Sequence, residues 1–394
     1  MTEQINTPEL RFPEFKNEWS YDLVSDVVTN KSKKFDPKKE EAKKDIELDS
    51  IEQNTGRLLD TYISNDFTSQ KNKFNKGNVL YSKLRPYLNK YYYATIDGVC
   101  SSEIWVLNTL NKDVLANKFL YYFIQTNRFS SVTNKSAGSK MPRADWELVK
   151  NIRLYKGSIE EQEKIGYFFS KLDRQIELEE KKLELLEQQK KGYMQKIFAQ
   201  ELRFKDENGN DYPDWVTKKL GDIGKVAMNK RIYKNETTEN GEIPFYKIGN
   251  FGKNADTFIT REKFDEYKEK YPYPNVGDIL ISASGSIGRT IEYTGEDAYY
   301  QDSNIVWLNH NDEVINKYLK YFYKIVKWSG IEGTTIKRLY NKNILNTKIE
   351  LPTVEEQYKM ANFLSKLDKI IDIQIEKIEL LKQRKQGLLQ KMFV

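Results

Sequence analysis

A duplication constrains this chain more than any other feature. Residues 159–198 read IEEQEKIGYFFSKLDRQIELEEKKLELLEQQKKGYMQKIF, and residues 354–393 read VEEQYKMANFLSKLDKIIDIQIEKIELLKQRKQGLLQKMF. The offset is 195 residues throughout, with no gap. The match extends back to Gly138 and Gly333, and 23 of those 61 aligned pairs are identical. A repeat this long means that two parts of the chain share one scaffold.

The repeated stretch reads as a long helix. Neither copy contains proline, and apolar residues recur at steps of three and four. A heptad places Phe169, Ile176, Leu183, Lys190 and Ile197 at one seam position, and Leu172, Glu179, Leu186 and Tyr193 at the other. The second copy gives Leu364, Ile371, Ile378, Lys385 and Met392, with Leu367, Gln374, Leu381 and Leu388. Both copies are broken by polar residues at the same two places, Glu179/Gln374 and Lys190/Lys385. A polar residue in such a seam lowers stability but fixes register and partner. The two helices are therefore expected to pack on each other, with Leu186 and Leu381 buried mid-seam. Forty residues at helical rise make a rod of about 60 Å.

The repeat is wider than the helix. Glu9-Leu10-Arg11-Phe12, leading to Trp19, returns as Glu201-Leu202-Arg203-Phe204, leading to Trp215. Each half is a lead phrase, a globular segment and a long helix, dividing the chain into 1–157, 158–200, 201–352 and 353–394. In the first segment, Lys31–Lys44 carries seven lysines against three acids and reads as a mobile basic loop. Strand-like runs follow, then a helix over Leu115–Thr126, a polar loop containing MPRADW, and a strand leading into the long helix. The second segment repeats this order with lower identity. Gly277, Leu280 and Ser282 match Gly77, Leu80 and Ser82, and Arg338 matches Arg143. Ile315–Val326 is the matching helix. The fold class expected is α+β, with two α/β globular domains and two long helices in a pseudo-two-fold repeat.

Composition narrows the chemistry. With 394 residues, 39% hydrophobic and 13% aromatic, the chain has material for two or three packed domains. Single residues of cysteine (Cys100) and histidine (His310) exclude an internal disulfide, a cysteine-based zinc site and histidine-rich metal chemistry. No apolar run is long enough to span a membrane, and the polar N-terminus is unlike a signal peptide, so a cytoplasmic location is expected. The net charge of +6 permits a nucleic-acid partner without requiring one. Ser284–Thr290 has glycines but neither the spacing nor the lysine of a phosphate-binding loop. No amino-methylation or nuclease motif is present. Glu160-Glu161 and Glu355-Glu356 sit at helix starts, where carboxylates complement the helix dipole.

The duplicated helices, KGNVLYSKLRPYLNKYYYA, GDILISASGSIGR, MPRADW and the EEQ helix start together resemble the DNA-specificity subunit of type I restriction-modification systems. The resemblance spans essentially the whole chain. It implies that each globular segment is a target recognition domain reading one half of a bipartite double-stranded DNA sequence. It implies that the helices form an antiparallel coiled coil that sets the spacing. It also implies a non-catalytic chain that binds no cofactor itself. Two methyltransferase subunits would supply S-adenosylmethionine chemistry, and optional restriction subunits would use ATP and magnesium. Two half-sites one turn apart lie about 34 Å from each other, within the reach of such a rod.

Phosphate contacts need Lys and Arg, and base reading needs side chains in a groove. The candidates in the first segment are Lys31, Lys33, Lys34, Lys71, Lys73, Arg85, Lys140 and Arg143. Those in the second are Arg231, Lys247, Ser284, Ser286, Arg289, Lys337 and Arg338. Each is equally accounted for as solvated surface. Ser102, Gln301 and Asn304 are candidate base-edge readers, with turn bonding as the alternative. A coiled-coil scaffold without nucleic-acid specificity would explain the helices but not two diverged basic segments.

Overall fold

A computed structural model describes residues 7–36, 39–64, 70–136, 140–285, 287–328 and 338–394. The chain forms two compact units. One comprises residues 1–181 and 375–394, the other 182–374. Each unit takes a globular segment together with half of each long helix.

In the first unit the central pair of strands is Val79–Ser82 and Ile104–Thr109, flanked by Val28–Thr29 and Tyr91–Tyr93 in an antiparallel four-stranded sheet. Its strands are almost fully buried runs of Val, Ile, Leu, Tyr and Trp, as expected of strands covered on both faces. A second sheet of five short strands runs in the order Lys34–Phe35, Lys71–Phe74, Gly98–Cys100, Lys44–Ile46 and Tyr62–Ile63. The Lys31–Lys44 stretch is therefore partly strand rather than a loop. Phe35 is buried and anchors it against the second sheet. The helix expected over Leu115–Thr126 forms over Asn117–Phe123. Ser20–Leu23 pairs with Arg153–Lys156 and delivers the chain to the first long helix.

The second unit repeats the four-stranded sheet with the same order: Gly224–Ala227, Ile305–His310, Ile279–Ser282 and Thr290–Glu292. Asn316–Ile325 is the matching helix, and Val216–Lys219 pairs with Lys348–Leu351 before the second long helix. The accessory sheet differs, having three strands here: Phe258–Ile259, Ile243–Tyr246 and Tyr299–Tyr300. Divergence between the copies is thus concentrated outside the shared four-stranded frame.

The long helices run over Ile159–Phe198 and Val354–Met392. Ser158 and Thr353 cap them, each hydroxyl accepting the amide of the residue three positions on, Glu161 and Glu356. These glutamates do more than complement the dipole. Glu161, fully buried, accepts from Arg11 Nε and Nη2 at 2.6 and 2.8 Å and from Trp19 Nε1 at 3.0 Å. Glu356 accepts from Arg203 at 2.9 and 2.9 Å and from Trp215 at 3.0 Å. The following glutamines are also spent. Gln162 bonds Val114, Ala116 and Gly157 of the backbone, and Gln357 bonds Glu313, Ile315 and Pro352. The repeated lead phrase and the repeated EEQ are two halves of one clamp.

Within each unit the two helix segments lie antiparallel. In the first, Asp173 meets Lys385 at 2.6 Å and Glu179 meets Lys377 at 2.5 Å. In the second, Lys190 pairs with Asp368, and Tyr193 packs edge-on against Phe363. The lysine interruption thus has a partner in both copies. Tyr122 donates to Asp173 at 2.8 Å and Tyr321 to Asp368 at 2.6 Å, completing a duplicated Lys–Asp–Tyr cluster. Burial pushes the Asp368 carboxyl up, but hydrogen bonds from Lys190 and Tyr321 outweigh it and hold the group below the usual carboxylate range. Phe169, Ile176, Leu364, Ile371 and Ile378 are buried. Leu172, Leu183, Leu186, Leu367 and Leu381 are only half-buried, which corrects the expectation for Leu186 and Leu381. In the middle of each helix one partner helix covers one side, and the flanks stay open. The helix ends instead enter the globular cores, as where Phe393 packs on Phe119 and Phe169.

Candidate nucleic-acid interface

The four-stranded frame gathers three polar segments at one edge of each unit. In the first, the strand ending at Ser82 runs into 83–85. The MPRADW loop straps onto it, with Arg85 N donating to Pro142 O and Ala144 N to Lys83 O, both at 2.8 Å. Lys83 N reaches Glu103 O at 3.0 Å, joining the turn before the strand Ile104–Thr109. The second unit repeats this strap, with Leu339 N donating to Ala283 O at 2.8 Å and Ala283 N to Asn304 O at 2.7 Å. Arg143 bridges Leu84, and Arg338 bridges Ser284. The arginines matched in the repeat hold matched places in the fold.

In the first unit this edge carries Arg85, Ser102, Lys140 and Arg143, all exposed. Arg143 donates to Glu103 through Nε at 2.9 Å and Nη2 at 3.4 Å, and this hydrogen bond pushes the guanidinium pKa up. Arg85 holds a left-handed backbone, φ 52°, and makes no ion pair among the described residues. A non-glycine residue there costs energy, and such strain collects at functional sites. Lys31 and Lys33 are exposed. Lys34 donates to Asn72 at 2.6 Å, and Asn72 donates to Ile104 O, tying the basic segment to the root of the same turn. Lys73 is paired with Glu40. Lys71 is a correction: its side chain is 3% exposed and its ammonium lies 2.9 Å from buried Asp45, with Glu47 also in contact. A lysine neutralised inside the sheet does not reach DNA.

In the second unit the loops converge on 301–304. Ser303 is left-handed, φ 53°, and its carbonyl accepts from Arg338 Nη2 at 3.3 Å. Arg231 Nε donates to Asp302 at 2.9 Å. Ser284 is mostly buried and donates to Asn304 Oδ1 at 2.8 Å, so these two are turned on each other rather than outward. Gln301 accepts from Ile248 N at 3.3 Å, a turn bond. Arg289 is exposed and touches Gly252 O at 3.4 Å. Lys247 lies 3.3 Å from Asp256. Ser286 and Lys337 lie outside the described residues.

Each edge is a set of exposed guanidinium and ammonium donors on a rigid backbone frame, which suits it to bind an anionic, hydrogen-bonding partner. Among the described residues no group of His, Cys, Asp or Glu is arranged to hold a metal ion, and no helix is long and apolar enough to cross a membrane. Sequence reasoning missed Glu103 and Asp302, the carboxylates that hold Arg143 and Arg231. The available signal was an acid in the turn before each central strand.

The model of the type I restriction modification DNA specificity domain matches residues 16–188 and again 212–383. The chain belongs to this family. The two specificity-domain matches fall on the two copies of the internal repeat. A putative type I restriction enzyme specificity subunit of Haemophilus influenzae is 58% identical over 151 residues, covering 38% of this chain and 39% of that protein. The MjaVIII specificity subunit of Methanocaldococcus jannaschii is 26% identical over 311 residues, covering 74% of this chain and 72% of that one. The specificity-family fold is shared with a chain of a type I restriction-modification system, with TM-score 0.65 at 18% identity, covering 97% of this chain and 98% of that one. It is also shared with the S subunit from M. genitalium, with TM-score 0.55 at 18% identity, covering 98% and 99%.

Proposed function

We propose that this chain is the DNA-reading subunit of a type I restriction-modification assembly. Each unit reads one half of a bipartite double-stranded target through its strapped edge. The long helices act as the spacer and dock two methyltransferase subunits. Those subunits bring S-adenosylmethionine, and restriction subunits, where present, bring ATP and magnesium. The observation that carries this reading is the contrast within the duplication. The four-stranded frame, the clamp and the Lys–Asp–Tyr cluster are repeated, while most of the side chains on the two edges, the Arg143/Arg338 match aside, are not.

The test is replacement of residues 20–157 by the corresponding segment of another specificity subunit, followed by methylome sequencing. One half of the methylated motif changes and the other stays. Change in both halves, or in neither, refutes independent reading. A second variant adds one heptad within Lys181–Lys191, which lengthens the helix by about 10 Å. The gap between half-sites then grows; an unchanged gap in an active assembly removes the helices as the spacer.

A further inference from the structure

We infer that Arg231 is a guanine reader, set in position by a carboxylate, rather than a phosphate clamp. This rests on the DNA-reading role proposed above and goes one step further, to a base that the second unit selects.

Arg231 is 56% exposed, while Asp302, which accepts from its Nε at 2.9 Å, is 15% exposed. The acid is set into the turn, and the guanidinium projects from it. Holding Nε fixes the plane of the fork and leaves the Nη1–Nη2 edge of Arg231 with no partner among the described residues. That edge matches guanine O6 and N7 in the major groove. In the first unit Arg143, 48% exposed, also pairs with an acid of the turn, Glu103, 26% exposed, but through both Nε and Nη2, so its fork is already engaged. Both acids lie in the turn leading into the central strand.

Charge separates the two roles. A phosphate approaching Arg231 also meets the Asp302 carboxylate 2.9 Å away, so most of the Coulomb attraction cancels. A base edge is neutral and is read by hydrogen bonds, which the carboxylate strengthens by fixing direction. Arg85 has no such acid among the described residues and Arg338 reaches a carbonyl instead, so neither fits this pattern.

The test uses the full chain assembled with its methyltransferase subunits and a duplex carrying the motif methylated in the host. Arg231→Ala weakens the cognate duplex on the order of ten- to a hundred-fold, with duplexes already substituted at one guanine unaffected and the salt slope unchanged. In wild type, 7-deazaguanine at that guanine reproduces the loss. Arg231→Lys does not rescue, because it keeps the charge and loses the fork. Asp302→Asn relaxes selectivity at the same guanine. The inference is overturned if Arg231→Ala weakens all duplexes equally and lowers the salt slope by about one, or if 7-deazaguanine is tolerated at every position; DNA reading itself survives either result. A wild-type assembly with no sequence preference would overturn both.

Discussion

Removing Arg203 gives the sharpest test of the clamp. Glu356 has a fully buried side chain and three donors: Arg203 Nε and Nη2 at 2.9 Å each, and Trp215 Nε1 at 3.0 Å. Arg203→Ala leaves that carboxylate buried with the tryptophan as its remaining side-chain donor. Stripping one partner from a buried ion pair costs about 3–5 kcal/mol. The helix N-terminus offsets about 0.3–1 kcal/mol of this, and the Trp215 bond keeps part of the remainder, so about 2–4 kcal/mol is expected. The reverse change is milder. In Glu356→Ala, Arg203 is 23% exposed and still donates to the carbonyls of Tyr212 and Pro213, so about 1–3 kcal/mol is lost. For a unit of this size about 2–4 °C of melting temperature follows each kcal/mol. Arg203→Ala should therefore lower the transition of residues 182–374 by about 4–16 °C, and Glu356→Ala by less. Calorimetry on the full chain measures both, with Arg11→Ala marking the transition of the other unit. If Glu356→Ala costs more than Arg203→Ala, or if Arg203→Ala melts like wild type, the clamp does not hold the helix start as argued.

Three further outcomes follow from the helices. Ile371→Ala, at a buried seam position, should cost about 2–5 kcal/mol, while Leu186→Ala, half-buried, should cost about half as much in the same denaturant titration. Asp368 has a folded-state pKa below its unfolded one, so the stability it contributes is present above the unfolded value, near 3.9, and is lost as pH falls through the folded value; Asp368→Asn should flatten the acid limb of the second unit's stability profile, and an unchanged limb would discount the Lys190 and Tyr321 contacts. Lys385→Ala should destabilise the first unit, leaving Asp173 with Tyr122 alone of its two close donors, whereas Lys385→Met with Asp173→Leu should recover much of that loss, as read by melting of the single and double variants.

The scaffold was legible because it is written twice. Both long helices begin where the shared EEQ begins, and the shared lysine interruption has an aspartate opposite it in each unit. A single copy would have shown a lysine in an apolar seam and no reason for it. The clamp was half legible: Arg11 with Trp19 and Glu161 with Gln162 each repeat, but nothing local says that residues some 140 to 150 positions apart touch, and helix-dipole chemistry already explained the glutamates. Burial was the weakest inference. Periodicity marks which face turns inward, not how much covers it, so Leu186 and Leu381 read like Ile371 though they are less covered. Charge had the same blind spot. Lys71 reads like Lys73, yet one is turned onto Asp45 inside the sheet and the other faces Glu40 near the surface. The edge residues were found as cations and missed as pairs. Glu103 and Asp302 lie 40 and 71 residues from Arg143 and Arg231, and only the strap and the converging loops bring acid and base together. For a DNA reader the pairing matters more than the count of cations, because a free guanidinium attracts any phosphate while one held by a carboxylate is left to choose among bases.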